Sequence, residues 1–164
     1  MKEPDRLPSL ATAIAPIVLI ALVATAPPLR ADADFGGSPP ESALSKAEQA
    51  IKARDWRNAM FYLQKAEREE PKNANVYNWE GYVSRQKGEL DRAFEYYAKA
   101  LKLDPNHRGA HEYIGETYLL AGKPDKAREH LARLQQICGA NCEQTRDLAV
   151  AIEKYAAGRP RPGS

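Results

Sequence analysis

The sequence predicts an all-α fold, a stack of three helix-turn-helix units of 34 residues closed at the C-terminal end by one further amphipathic helix. Three observations predict it. Small residues recur at a fixed spacing of 34: Ala47, Gly81 and Gly115 form one ladder, and Ala59, Ala93 and Ala127 another. The turn-formers Gly88 and Gly122, and the prolines Pro71 and Pro105, keep the same spacing. Between residues 41 and 157 the apolar residues follow a three-and-four rhythm with no period-two alternation. A fixed period of this size marks supersecondary units that bury their apolar faces only against one another.

The second unit shows the plan most clearly. A first helix is expected from about Val76 to Lys87, ended by Gly88, because glycine enters the left-handed conformation at no steric cost. A second helix is expected from near Glu89 to Leu103, with Leu90, Ala93, Phe94, Tyr97, Ala100 and Leu101 on one buried stripe. Asp104-Pro105 stops it, since the residue before proline is driven out of the α region. In the third unit Gly122 ends the first helix, and Pro124 opens the second where its missing N–H costs nothing. The first unit has Arg54 in place of the turn glycine, yet Trp56, Ala59, Met60, Leu63 and Ala66 repeat the buried stripe and Pro71 closes it. The capping helix is expected from about Cys142 to Ala157, with Leu148, Ala151, Ile152 and Tyr155 facing the stack.

Residues 1–31 read as a secretory signal peptide. Lys2 and Arg6 precede an apolar run, and small residues and prolines lead to a cut after Ala31. A retained membrane anchor over 10–26 is the alternative, although Pro16 interrupts the run and a span needs about 20 apolar residues. The expected location is periplasmic or secreted, with no membrane insertion once the leader is cleaved. Residues 32–40 read as a flexible linker and 158–164 as a disordered tail. A formal net charge of +2 with interspersed signs and no basic block speaks against nucleic acid as a partner.

These repeats resemble the tetratricopeptide repeat family. The run from Gly88 through Asp91, Ala93, Tyr97 and Ala100 to Pro105 is close to the family pattern, and three units align without a gap at 40–73, 74–107 and 108–141. The resemblance implies a right-handed superhelical stack whose first helices line a concave groove. There it places Asn78, Trp79, Tyr82, Arg85 and Gln86 from the second unit, and Glu112, Tyr113 and Glu116 from the third. Aromatic residues and arginine dominate interface hot spots, so a protein or peptide partner is expected. Equally, these aromatics could pack the first helices against their neighbours. One class in the family clamps a C-terminal carboxylate, but Leu44, Glu48, Trp79, Gly109 and Tyr113 stand where its Lys, Asn and Arg residues belong. The family position that usually carries Leu holds Lys46, Glu80 and Ile114, and Trp79 is expected to take over that packing.

Cys138 and Cys142 flank the turn before the capping helix. In an exported protein they are expected to form a structural disulfide worth about 2 kcal/mol for so short a loop. A periplasmic copper or thiol-redox role for the pair is the alternative, although no nearby Met or His completes a Cu(I) site. His107 and His111 have a metal-compatible spacing but no third ligand, and His130 reads as a solitary solvated residue. No catalytic constellation is present, so neither an enzyme nor a cofactor is expected.

Overall fold

The computed structural model describes residues 41–158. The leader over 1–31, the linker over 32–40 and the tail beyond Gly158 lie outside them. Seven helices follow one another among the described residues: α1 Ala43–Lys52, α2 Trp56–Glu69, α3 Ala74–Gln86, α4 Leu90–Leu103, α5 Arg108–Leu120, α6 Pro124–Cys138 and α7 Glu143–Ala157. The expected start of α3 at Val76 moves to Ala74, because Asn73 Oδ1 accepts from the Asn75 N–H at 3.0 Å and caps the helix earlier. Ser42 and Asp55 cap α1 and α2 in the same way, and His107 Nδ1 does so for α5.

Consecutive helices pair as hairpins, α1 with α2, α3 with α4 and α5 with α6. The first helices also touch in series, α1 on α3, α3 on α5 and α5 on α7. The second helices α2, α4 and α6 make no such contacts with one another. Close approach on one side and separation on the other bends the stack, and the concave side is the layer of α1, α3, α5 and α7. The fold is a helical solenoid of hairpins.

Small residues set the closest approaches. A Cβ on Gly81 would stand 2.5 Å from the ring of Tyr97, which is itself fully buried on α4. A Cβ on Gly115 would stand 2.6 Å from a methyl of Leu148 on α7. Ala47, Ala59, Ala93 and Ala127 are all solvent-free. The core is therefore a chain of local clusters, one around Ala59, Leu63 and Val76, another around Leu119, Leu134 and Leu148, joined through Tyr97 and Ile114.

The three turns within the hairpins close alike. Asp55 N–H donates to Ala50 O at 2.9 Å, Glu89 N–H to Ser84 O at 2.9 Å and Lys123 N–H to Tyr118 O at 2.8 Å. Each closure needs a left-handed residue at the bend, and Gly88 and Gly122 adopt it with φ of 78° and 73°. Arg54 adopts it too, at φ 56°, the only non-glycine among the described residues with positive φ. A side chain in that conformation costs about 1–2 kcal/mol, more than the extra chain entropy glycine loses on folding. Arg54→Gly is therefore expected to stabilise the protein by about 1 kcal/mol in urea melts.

Two sequence expectations need amendment. Trp79 packs against the core as expected, but Glu80 does not lie outside it: Glu80 is fully buried, with neither carboxylate oxygen hydrogen-bonded. Burial, and then the Glu67 carboxylate, push its carboxyl up to about 7, against the fields of Lys99 and Arg92. Nor is His130 solitary. Its Nδ1 lies 2.9 Å from Nδ1 of His111, and its ring stacks on Tyr118 at 5.7 Å. His111 Nε2 donates to Pro105 O at 3.1 Å, which leaves its Nδ1 to accept from His130. Burial, and then the neighbouring His111, hold His130 down at about 4.

Candidate interaction groove

The concave face carries one contiguous aromatic patch. The rings of Trp79 and Tyr82 on α3 meet edge-on at 5.6 Å. Tyr113 on α5 approaches Tyr82 at 5.1 Å and Trp79 at 6.2 Å, and Trp56 at the start of α2 meets Tyr82 at 6.3 Å. Residues 79, 82 and 113 come together because α3 and α5 run side by side 34 residues out of phase. The Trp79 indole N–H donates to Glu48 on α1 at 3.1 Å, tying a fourth helix to the patch.

Arg85 lies across the middle. Its guanidinium sits 5.3 Å from the Tyr82 ring centre and 5.4 Å from that of Tyr113, and it donates to Glu116 at 2.5 Å. Planar stacking and a carboxylate partner are what arginine, and not lysine, satisfies together. With 12% of its side chain exposed, Arg85 is a fixed part of the groove floor.

An open cavity of about 350 Å³ lies beside the patch, lined by Ile51, Lys52, Trp56, Trp79, Tyr82 and Gln86 among others. A second, of about 460 Å³, follows along the same face between Arg85, Glu116, Leu120 and Tyr155. Trp79 and Tyr82 are half-buried and pack on the core below as well as facing these cavities. Of the remaining groove residues expected from the sequence, Gln86 is exposed at the rim, whereas Asn78 and Glu112 are buried between α3, α5 and their neighbours. Trp56 and Glu48 were not among those expected. Trp56 reads in sequence as one more member of a buried stripe, and in the structure it both packs on the core and lines the first of these cavities.

The Cys138 and Cys142 Cα atoms are 5.8 Å apart across the turn at Gly139, within the reach of a disulfide. Both sulfurs lie against Thr145 Oγ1, at 3.6 and 3.1 Å. Among the described residues no group of three His, Cys, Asp or Glu converges as metal ligands. His107 has both ring nitrogens engaged, with the Ala110 N–H and with Asn75 Oδ1.

The fold resembles solved structures of known domains. The TPR domain of Arabidopsis OM64 superposes with a TM-score of 0.62 at 16% identity, over 69% of this chain and 93% of that one. The TPR2B domain of yeast Sti1, solved as a pHsp70 complex, gives 0.64 at 18% over 73% and 97%. The first TPR of Spaghetti (RPAP3), solved with the HSP90 peptide SRMEEVD, gives 0.62 at 17% over 70% and 93%. No curated protein matches the sequence. Family models described as tetratricopeptide repeat match residues 44–108 and 84–137, together more than half of the sequence, and the chain belongs to the tetratricopeptide repeat family.

Proposed function

We propose that this chain is an exported, non-enzymatic interaction module that holds a segment of a partner protein in its concave groove. The observation that carries this reading is the contiguous Trp79–Tyr82–Tyr113 patch with Arg85 across it, open to two cavities along the inner helices. Aromatic and arginine anchors beside pockets are where binding energy concentrates, and an inner helical face suits an extended or helical segment. Two of the structural neighbours were solved with peptide or chaperone partners, which agrees with this use of the fold. Family membership favours binding over catalysis.

The test is Tyr82→Ala with Arg85→Ala. Trp79 is left intact, because its indole N–H also holds Glu48 and ties α1 to α3. Capture of partners from an envelope extract should fall at least tenfold while the thermal melt stays cooperative. Unchanged capture by a folded variant would sink the groove reading.

Export rests on the leader over 1–31, and fusing it to a reporter active only outside the cytoplasm tests that part. In an oxidising compartment Cys138 and Cys142 would pair and pin α7 to α6. Alkylation followed by intact-mass measurement, with and without reductant, reads their state.

A further inference from the structure

Arg54 holds a conformation that its counterparts Gly88 and Gly122 reach without strain. The turn it sits in is closed by the backbone, Asp55 N–H to Ala50 O, which asks nothing of the Arg54 side chain. Nor does that side chain serve the fold elsewhere. It is exposed and makes no hydrogen bond, ion pair or ring contact among the described residues. A strained residue that the fold does not need directs attention to what it faces.

Arg54 lines the cavity of about 350 Å³ beside the aromatic patch, together with Lys52. Lys52 is likewise exposed and unpaired among the described residues. The rest of the lining is Ile51, the rings of Trp56, Trp79, Tyr82 and Tyr113, and the amide of Gln86, so no carboxylate faces the two cations. The acids flanking them in sequence are engaged elsewhere. Glu48 accepts from the Trp79 indole, and Asp55 accepts from the backbone and the side chain of Asn58 and lines a separate cavity.

The cavity thus joins an aromatic wall to two uncompensated positive charges. Its complement is apolar surface that carries negative charge. The guanidinium fork of arginine meets a carboxylate with two parallel N–H bonds, and lysine adds a point charge beside it. We propose that this cavity takes an acidic segment of the partner protein, with an apolar or aromatic side chain against the rings and a carboxylate on Arg54 and Lys52. This rests on the groove reading above and adds the charge of the occupant and the residues that read it. Neither cation stands at a position of the carboxylate clamp, which here holds Leu44, Glu48, Trp79, Gly109 and Tyr113.

Fluorescein-labelled decapeptides of alternating Tyr-Glu, Tyr-Lys and Tyr-Ser, titrated with the full chain and followed by anisotropy, test it. Tyr-Glu should bind about tenfold tighter than Tyr-Lys, and its advantage should shrink as salt rises. Arg54→Gly should weaken Tyr-Glu about fivefold and leave Tyr-Ser unchanged, while its urea midpoint rises. Binding and stability then move in opposite directions, which a merely structural role for Arg54 does not produce. An oligothymidylate of the same length, the nucleic-acid arm, should bind more weakly than Tyr-Glu. Equal or tighter binding of Tyr-Lys or of the oligothymidylate, a Tyr-Glu affinity that Arg54→Gly leaves unchanged, or no binding of Tyr-Glu would each overturn the acidic-segment inference. Tyr82→Ala/Arg85→Ala separates the two ideas. If it abolishes binding of a peptide that is not acidic, the groove reading stands and the charge assignment alone fails.

Discussion

Glu80→Leu is expected to raise stability by about 3 kcal/mol at pH 8 and by much less at pH 4. The Glu80 carboxyl is solvent-free and its oxygens have no hydrogen-bond partner. Its folded pKa of about 7 lies above the ordinary value of 4.5. Below pH 4.5 both folded and unfolded chains carry the proton, and there is no penalty. Between 4.5 and 7 the unfolded chain releases it while the folded chain keeps it, so stability falls as pH rises. Above 7 the loss is complete. Glu112 adds a slope of the same sign up to about pH 8. His130 acts in the opposite sense, because a histidine held down at about 4 loses stability as pH falls from 6.5 towards 4. The leucine variant should therefore keep the acid limb from His130 and lose part of the alkaline one. Urea melts across pH 4–9 read both limbs. Glu80→Gln, which keeps the shape and removes the charge, should recover part of the gain. A wild-type curve and a leucine curve that run parallel would show that Glu80 is not the group responsible.

Leu148→Ala should destabilise the protein by about 3 kcal/mol, because Leu148 is solvent-free and fills the space above Gly115. It is the residue through which α7 closes the end of the stack. Gly115→Ala alone should also destabilise, by about 1–3 kcal/mol, since its new methyl would meet Leu148 at 2.6 Å. The double variant is the sharper measurement. With Leu148 shortened, the alanine methyl enters the vacated space and the helix gains about 1 kcal/mol of intrinsic preference over glycine. The pair should then cost at least about 1 kcal/mol less than the sum of the single changes. Additive costs in urea melts would mean that α7 does not seat on Gly115.

The ladder of small residues was legible in sequence because close helix approach leaves no room for anything else at Gly81 and Gly115. Gly88 and Gly122 announced their turns for the same kind of reason. Arg54 shows where that signal stops, since the same hydrogen-bonded closure forms there without glycine. Glu80 and Glu112 were hidden because a carboxylate on a helix reads as solvated until a neighbouring helix is known to cover it. The His111–His130 pair was hidden by its 19-residue separation on two helices whose facing sides no local pattern reveals. Trp79 had two readings in the sequence, core and groove, and in the structure the one side chain packs on the core and lines a cavity.

The aromatic patch has an optical consequence. The chain contains two tryptophans, Trp56 and Trp79, and both line the same cavity of about 350 Å³. All of the intrinsic indole emission therefore originates within one ring diameter of the proposed docking place. Anything that enters and displaces water there will shift that emission, and events elsewhere on the solenoid will leave it silent. The protein carries its own label for occupancy, and a titration needs no dye to show when the groove fills.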